Sequence, residues 1–176
     1  MKGKDYLPDN VFIHEFPLEL GRIETPIMLL NLEPRYEIVV NAIWDTGATF
    51  SSIAPRIVGK LGLQKDGASI SKGINGAVMS STSLCFAFPG NRRYGAFVEA
   101  SWLPDVDGVP DFIIGLDIII MGDMRLQSRD GIGKLTFTFD TSRFIDYEHD
   151  DSVTLVRKTS AFYENMKRCW KAHGMK

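Results

Sequence analysis

Apolar and polar residues alternate with a period of two over much of this chain, the spacing of half-buried strands. Residues 135–139, Leu-Thr-Phe-Thr-Phe, alternate without a break. Over residues 11–20, Phe12, Phe16, Leu18 and Leu20 do so loosely. Two apolar runs, 26–32 and 36–44, are split by Glu33-Pro34-Arg35 and predict successive strands. Residues 78–88 and 94–102 predict another pair around Pro89-Gly90-Asn91, and a turn at Gly131-Ile132-Gly133-Lys134 precedes the 135–139 strand. Helical spacing is rarer. A short helix is expected at 55–61, with Pro55 in its first turn and Gly62 at its stop, and another at 118–121. A third, at 159–173, would place Phe162, Met166, Cys169 and Trp170 on one face. The pattern predicts a mostly β protein with a few short helices, without internal repeats or low-complexity segments.

One strand ends in chemistry. Ile43-Trp44 runs straight into Asp45-Thr46-Gly47-Ala48, so an apolar strand carries a carboxylate toward the interior. Thr46 sets a hydroxyl beside it, and Gly47, without a Cβ, permits a close backbone approach. Two such acids side by side cannot both ionise; they share a proton and can act on a water as base and acid together. The tripeptide by itself is equally an ordinary strand-to-turn exit. Its companions decide between the two.

Three segments follow it in order. Residues 50–63 carry the short helix, and Lys72-Gly73-Ile74-Asn75-Gly76-Ala77 is a Gly/Asn turn between strand-like residues, the composition of a hairpin tip. Asp111-Phe112-Ile113-Ile114-Gly115 is an apolar strand meeting a glycine. With these in place the chain resembles the retropepsin-like aspartic peptidases, single-domain relatives of pepsin, over roughly residues 25–140. In that family an Asp-Thr/Ser-Gly loop carries the catalytic acid, a glycine-rich hairpin forms the flap, and a hydrophobic-hydrophobic-Gly strand packs behind the loop. Asp45-Thr46-Gly47-Ala48, Gly73–Gly76 and Ile113-Ile114-Gly115 match these elements in order, and residues 45–63 look most like the cellular and bacterial branch. The resemblance implies a closed six-stranded-type acid protease barrel with a flap hairpin. It implies catalysis by Asp45, Thr46 and Gly47, and substrate binding by Ala48, Gly73, Ile74, Asn75 and Gly76.

The chain departs from the family in three places. Viral members carry an acid after Asp-Thr-Gly-Ala and an arginine after the Ile-Ile-Gly glycine, which pair. Thr49 and Leu116 stand there instead, and since both partners change together no charge is left unpaired. Trp44 replaces a smaller aliphatic and either fills more core or narrows the site. A tail of some thirty residues follows the last expected strand.

A net charge of −2 from 20 basic and 22 acidic residues offers no basic stripe for nucleic acid. No apolar run approaches a membrane span. The charged start lacks the apolar stretch of a signal peptide, and Cys85 and Cys169 have neither metal nor redox spacing, so a cytoplasmic protein with reduced thiols is expected. His14, His149 and His173 are scattered. Asp105, Asp107 and Asp111 lack the glycine and terminal glutamate of a calcium loop, and no serine has an evident histidine partner. Neither metal nor cofactor is called for.

Asp140-Thr141-Ser142 is a poor second copy of the motif, because serine stands where glycine is needed and the remaining chain is too short for a second lobe. It is expected to be a polar turn. The second aspartate must then come from another copy of the chain across a two-fold axis. The expectation is a homodimeric aspartic endopeptidase acting on peptides or proteins. It would comprise an N-terminal arm (1–24), a protease domain (25–140) and a C-terminal extension with a helix (141–176). The alternative is a non-catalytic module that keeps the fold to bind peptides or to dimerise.

Overall fold

The computed structural model describes residues 8–32, 35–73 and 76–150, with Glu164. The first half carries β1 (Val11–Pro17), β2 (Glu24–Leu32), β3 (Arg35–Trp44), β4 (Ser52–Ile53), α1 (Pro55–Leu61) and β5 (Gly67–Gly73). The second carries β6 (Gly76–Pro89), β7 (Tyr94–Trp102), β8 (Phe112–Ile114), α2 (Leu116–Ile119), β9 (Gly122–Arg129), β10 (Ile132–Phe139) and β11 (Ile145–Asp146). The expected tail helix lies outside the described residues, and so do Ile74 and Asn75 of the expected flap tip.

Six strands close on themselves. Antiparallel pairs join β3 to β2, β2 to β6 and β6 to β7. Parallel pairing carries the ring from β7 to β4, antiparallel pairing from β4 to β8, and parallel pairing from β8 back to β3. Closure removes the open edges that would otherwise invite pairing with another chain. Long β6 also carries β5 as a hairpin, with Gly73 opposite Gly76. The fold is thus the mostly β closed barrel expected from the sequence.

The barrel core follows from alternation. Tyr94, Ala96, Val98 and Ala100 of β7 and Cys85 and Ala87 of β6 join Leu29, Val40, Ala42, Phe112 and Ile114 inside. The opposite faces of β2 and β6 hold a smaller cluster of Leu30, Phe86, Phe88 and Ile145. A separate sheet, β1-β10-β9, lays the alternating Leu135, Phe137 and Phe139 of β10 against the main core. Trp44 meets that layer, its ring 5.1 Å from Phe137, and its indole N–H donates to the Thr25 hydroxyl at 2.9 Å with both residues buried. Trp44 therefore fills core.

Three local features differ from the sequence pattern. β9 is not foreshadowed, because most of its side chains are exposed on both faces and leave no period-two signal. The hairpin from β9 to β10 turns at Asp130-Gly131, both at positive φ (52° and 80°), so β10 begins at Ile132 instead of following a turn there. Helix α2 begins two residues earlier than expected, directly after Gly115. Asp140-Thr141-Ser142 is a polar turn: the Asp140 carboxylate accepts from the Ser142 N–H and hydroxyl.

Just beyond β10, residues 144–146 stay on the barrel. Phe144 and Ile145 are buried, and β11 pairs with β7. Arg93 donates from Nε and Nη2 to Asp146 at 2.8–3.1 Å and from Nη1 to Asp9 at 3.0 Å, tying β11 and the residues just before β1 to one guanidinium. The Arg93 guanidinium holds the Asp146 carboxyl well below the usual carboxylate range.

Two outcomes follow for stability. Thr25→Val leaves the buried Trp44 N–H without an acceptor and should lower the unfolding free energy by about 1–3 kcal/mol in urea titration. A depressed folded-state pKa gives Asp146 a stabilising contribution that is complete above the unfolded value of about 4 and fades as pH falls toward the folded one. Asp146→Asn should therefore flatten the loss of stability below about pH 4, read by thermal unfolding across that range.

Candidate active site

Strand β3 delivers Asp45 because Trp44 is anchored in the core and pairs with Ile114 of β8. One residue later the Asp45 N–H donates to the Ile114 carbonyl at 3.0 Å, the last rung before the loop departs. The loop then curls on itself. Ala48 N–H donates back to the Asp45 carbonyl at 3.2 Å, and Gly47 N–H donates to Asp45 Oδ1 at 2.8 Å. A Cβ on Gly47 would lie 3.1 Å from that same oxygen. The absent side chain here makes room for the protein's own carboxylate.

Asp45 is half-buried, whereas Thr46 and Gly47 are exposed on the surface of the single chain. Asp45, Thr46, Gly47 and Ala48 thus form one continuous surface element at the mouth of β3. Gly73 and Gly76 face each other at the end of the β5–β6 hairpin. Ser101 of β7 joins the two regions: its N–H donates to the Ser51 carbonyl at 3.0 Å, and its hydroxyl lies 2.7 Å from that of Ser69 on β5. The root of the hairpin, through Ser69, is thereby tied to the exit of the Asp45 loop.

The segment behind the loop is its scaffold. Leu116 N–H donates to the Ala48 carbonyl at 2.8 Å and Asp117 N–H to the Thr49 carbonyl at 3.2 Å. Gly115 passes so close that a Cβ there would sit 2.5 Å from the Phe50 carbonyl carbon and 2.8 Å from the Ser51 nitrogen. Its φ of −92° is ordinary, so proximity is what calls for glycine here.

Two residues the sequence reasoning passed over complete the arrangement. Asp117 accepts from the Ser51 hydroxyl at 2.7 Å, from the Ser51 N–H at 3.0 Å and from the Ile118 N–H at 3.1 Å. The Ser51 hydroxyl accepts in turn from the Gly115 N–H at 3.1 Å. Burial raises the Asp117 carboxyl, against the pull of the Ser51 and Ile118 hydrogen bonds. Burial also pushes the nearby Cys85 thiol up to about 12, with the Asp117 charge adding to the effect. The signal available in the sequence was an acid two residues after the Ile-Ile-Gly glycine and a serine six after Asp45. Among the described residues no group of three or more His, Cys, Asp or Glu could hold a metal ion, and no helix is long and apolar enough to cross a membrane.

Gly115→Ala forces a methyl group into the Phe50–Ser51 backbone, which has no rotamer with which to yield. It should cost about 2–3 kcal/mol of stability in chemical denaturation, at the upper end of overpacking effects.

No family model and no curated relative matches the sequence. Among solved structures, the fold is similar to the crystal structure of a retropepsin-like aspartic protease from Rickettsia conorii. The TM-score is 0.51 at 12% identity, over 76% of this chain and 98% of that one. Identity this low speaks to architecture alone, and the architecture is that of the retropepsin-like aspartic proteases.

Proposed function

We propose that the protein is an aspartic endopeptidase that hydrolyses peptide bonds at a pair of Asp45 carboxyls, one from each subunit of a homodimer. The observation that carries this reading is a half-buried Asp45 at the end of a core strand, its carboxylate held by the Gly47 N–H, beside exposed Thr46 and Gly47. A lone chain leaves that surface open. A second copy related by a two-fold axis would set Asp45 opposite its equivalent, with the Thr46 hydroxyls bracing the pair.

The chemistry follows from what a peptide bond lacks. Its carbonyl carbon is weakly electrophilic, so both the nucleophile and the carbonyl need help. One Asp45 carboxylate takes a proton from water as that water attacks, while the protonated partner donates to the carbonyl oxygen. The resulting tetrahedral species collapses when the nitrogen is protonated and the C–N bond breaks, returning the pair to its shared-proton state. No covalent intermediate forms on the protein. Ala48 and the hairpin residues Gly73, Ile74, Asn75 and Gly76 would hold an extended peptide by backbone hydrogen bonds and exclude water as the hairpin closes.

The test is cleavage of a diverse peptide pool by the purified protein at mildly acid and neutral pH. Asp45→Asn should lower the rate by roughly 10³-fold or more, within the range of a lost general acid–base group, with folding intact. A statine-type inhibitor should block the wild-type protein. Undiminished cleavage in Asp45→Asn would move the activity to other residues. Peptide binding without cleavage by the wild-type protein would make it a binding module.

A further inference from the structure

We infer that Asp117, acting through Ser51, is the positioning residue that fixes the Asp45 loop for catalysis; this rests on the proposed protease reading. The loop from Asp45 to Ser51 is gripped along its length by residues 114–117. At its entrance and middle the grip is made by main-chain groups, Asp45 to Ile114, Leu116 to Ala48 and Asp117 to Thr49. Such bonds persist through most side-chain changes. At the exit the grip depends on side chains, with the Asp117 carboxylate taking both the N–H and the O–H of Ser51 while that hydroxyl takes the Gly115 N–H.

That exit is where the loop's length is set. Ser51 is fully buried, so removing Asp117 takes away the protein acceptor of both its N–H and its hydroxyl. The next residue, Ser52, enters β4 and pairs with Ile113. Between two strand-locked ends lie seven residues, 45–51, and at the last of them the Ser101 N–H holds only the Ser51 carbonyl, while Asp117 holds its N–H and hydroxyl. Catalytic carboxyls need placement to within a fraction of an ångström, and a half-buried acceptor with three protein donors has little freedom to drift. The Asp117 side chain also receives the Ile118 N–H, so the first turn of α2 and the loop exit share one acceptor. Acceptor geometry is what matters here. Asparagine offers an oxygen to the same donors, whereas alanine offers none.

Two readouts test this. The first is kcat per active site, with sites counted by titration with a tight statine-type inhibitor so that unfolded molecules do not register. Asp117→Ala should lower kcat per site at least tenfold with KM within about twofold, and Asp117→Asn should recover kcat to within about threefold of wild type. The second is hydrogen exchange of the Gly47 amide, whose N–H reports where the Asp45 carboxylate sits. Its protection should fall tenfold or more in Asp117→Ala and return in Asp117→Asn. If Asp117→Ala does not fold, Ser51→Ala carries both measurements, with the same directions expected. Unchanged kcat per site and unchanged Gly47 exchange in the alanine variants would overturn the inference, as would failure of asparagine to restore either. Should the wild-type protein prove unable to cleave, the protease reading falls by itself, and Gly47 exchange alone still decides whether Asp117 positions Asp45.

Discussion

A polar loop can lie against the end of a barrel only where backbone meets backbone without side chains between them. In this protein that meeting is the passage of Gly115 beneath Phe50 and Ser51, where even a methyl group has no room. Because the two segments touch there, residues 114–117 can hydrogen-bond to the loop along its length. Because the loop is held at both ends, Asp45 emerges from β3 with one defined direction. The closed ring of six strands supplies the rigidity, since β3, β8 and β4, which carry the two segments, are adjacent members of that ring.

The side chains around this contact divide the work. Trp44 fixes the strand before Asp45 through Phe137 and the Thr25 hydroxyl, so the acid's approach is set by the core. Ser51 and Asp117 fix the path after it. Between these anchors, Thr46 and Gly47 are exposed, which is unusual economy for residues matching a catalytic motif unless another surface covers them. A polar, half-exposed acid on a rigid frame is suited to facing its own equivalent in a second copy.

Much of this was legible in the sequence, for identifiable reasons. Strands β2, β3, β6 and β7 announce themselves because one face of each is buried, and α1 because Pro55 and Gly62 bracket it with ordinary capping chemistry. The Asp45 loop and the Ile113-Ile114-Gly115 strand could be paired from their order along the chain. Strand β9 could not, since its exposed residues write no alternation. The Asp130-Gly131 turn is masked by the two glycines that flank Ile132, although Asp-Gly suits the positive φ values such a hairpin needs. The roles of Ser51 and Asp117 were hidden more deeply. They lie sixty-six positions apart and meet only when β4 and β8 pair, so no local pattern brings them together.

The account depends on two subunits sharing one site, so activity and assembly must rise together. The direct measurement is cleavage rate per chain over a range of protein concentration, alongside the dimer fraction from sedimentation equilibrium in the same buffer. The account predicts that the rate per chain follows the dimer fraction and vanishes on dilution to monomer. A rate per chain that stays constant where sedimentation finds only monomers would contradict it.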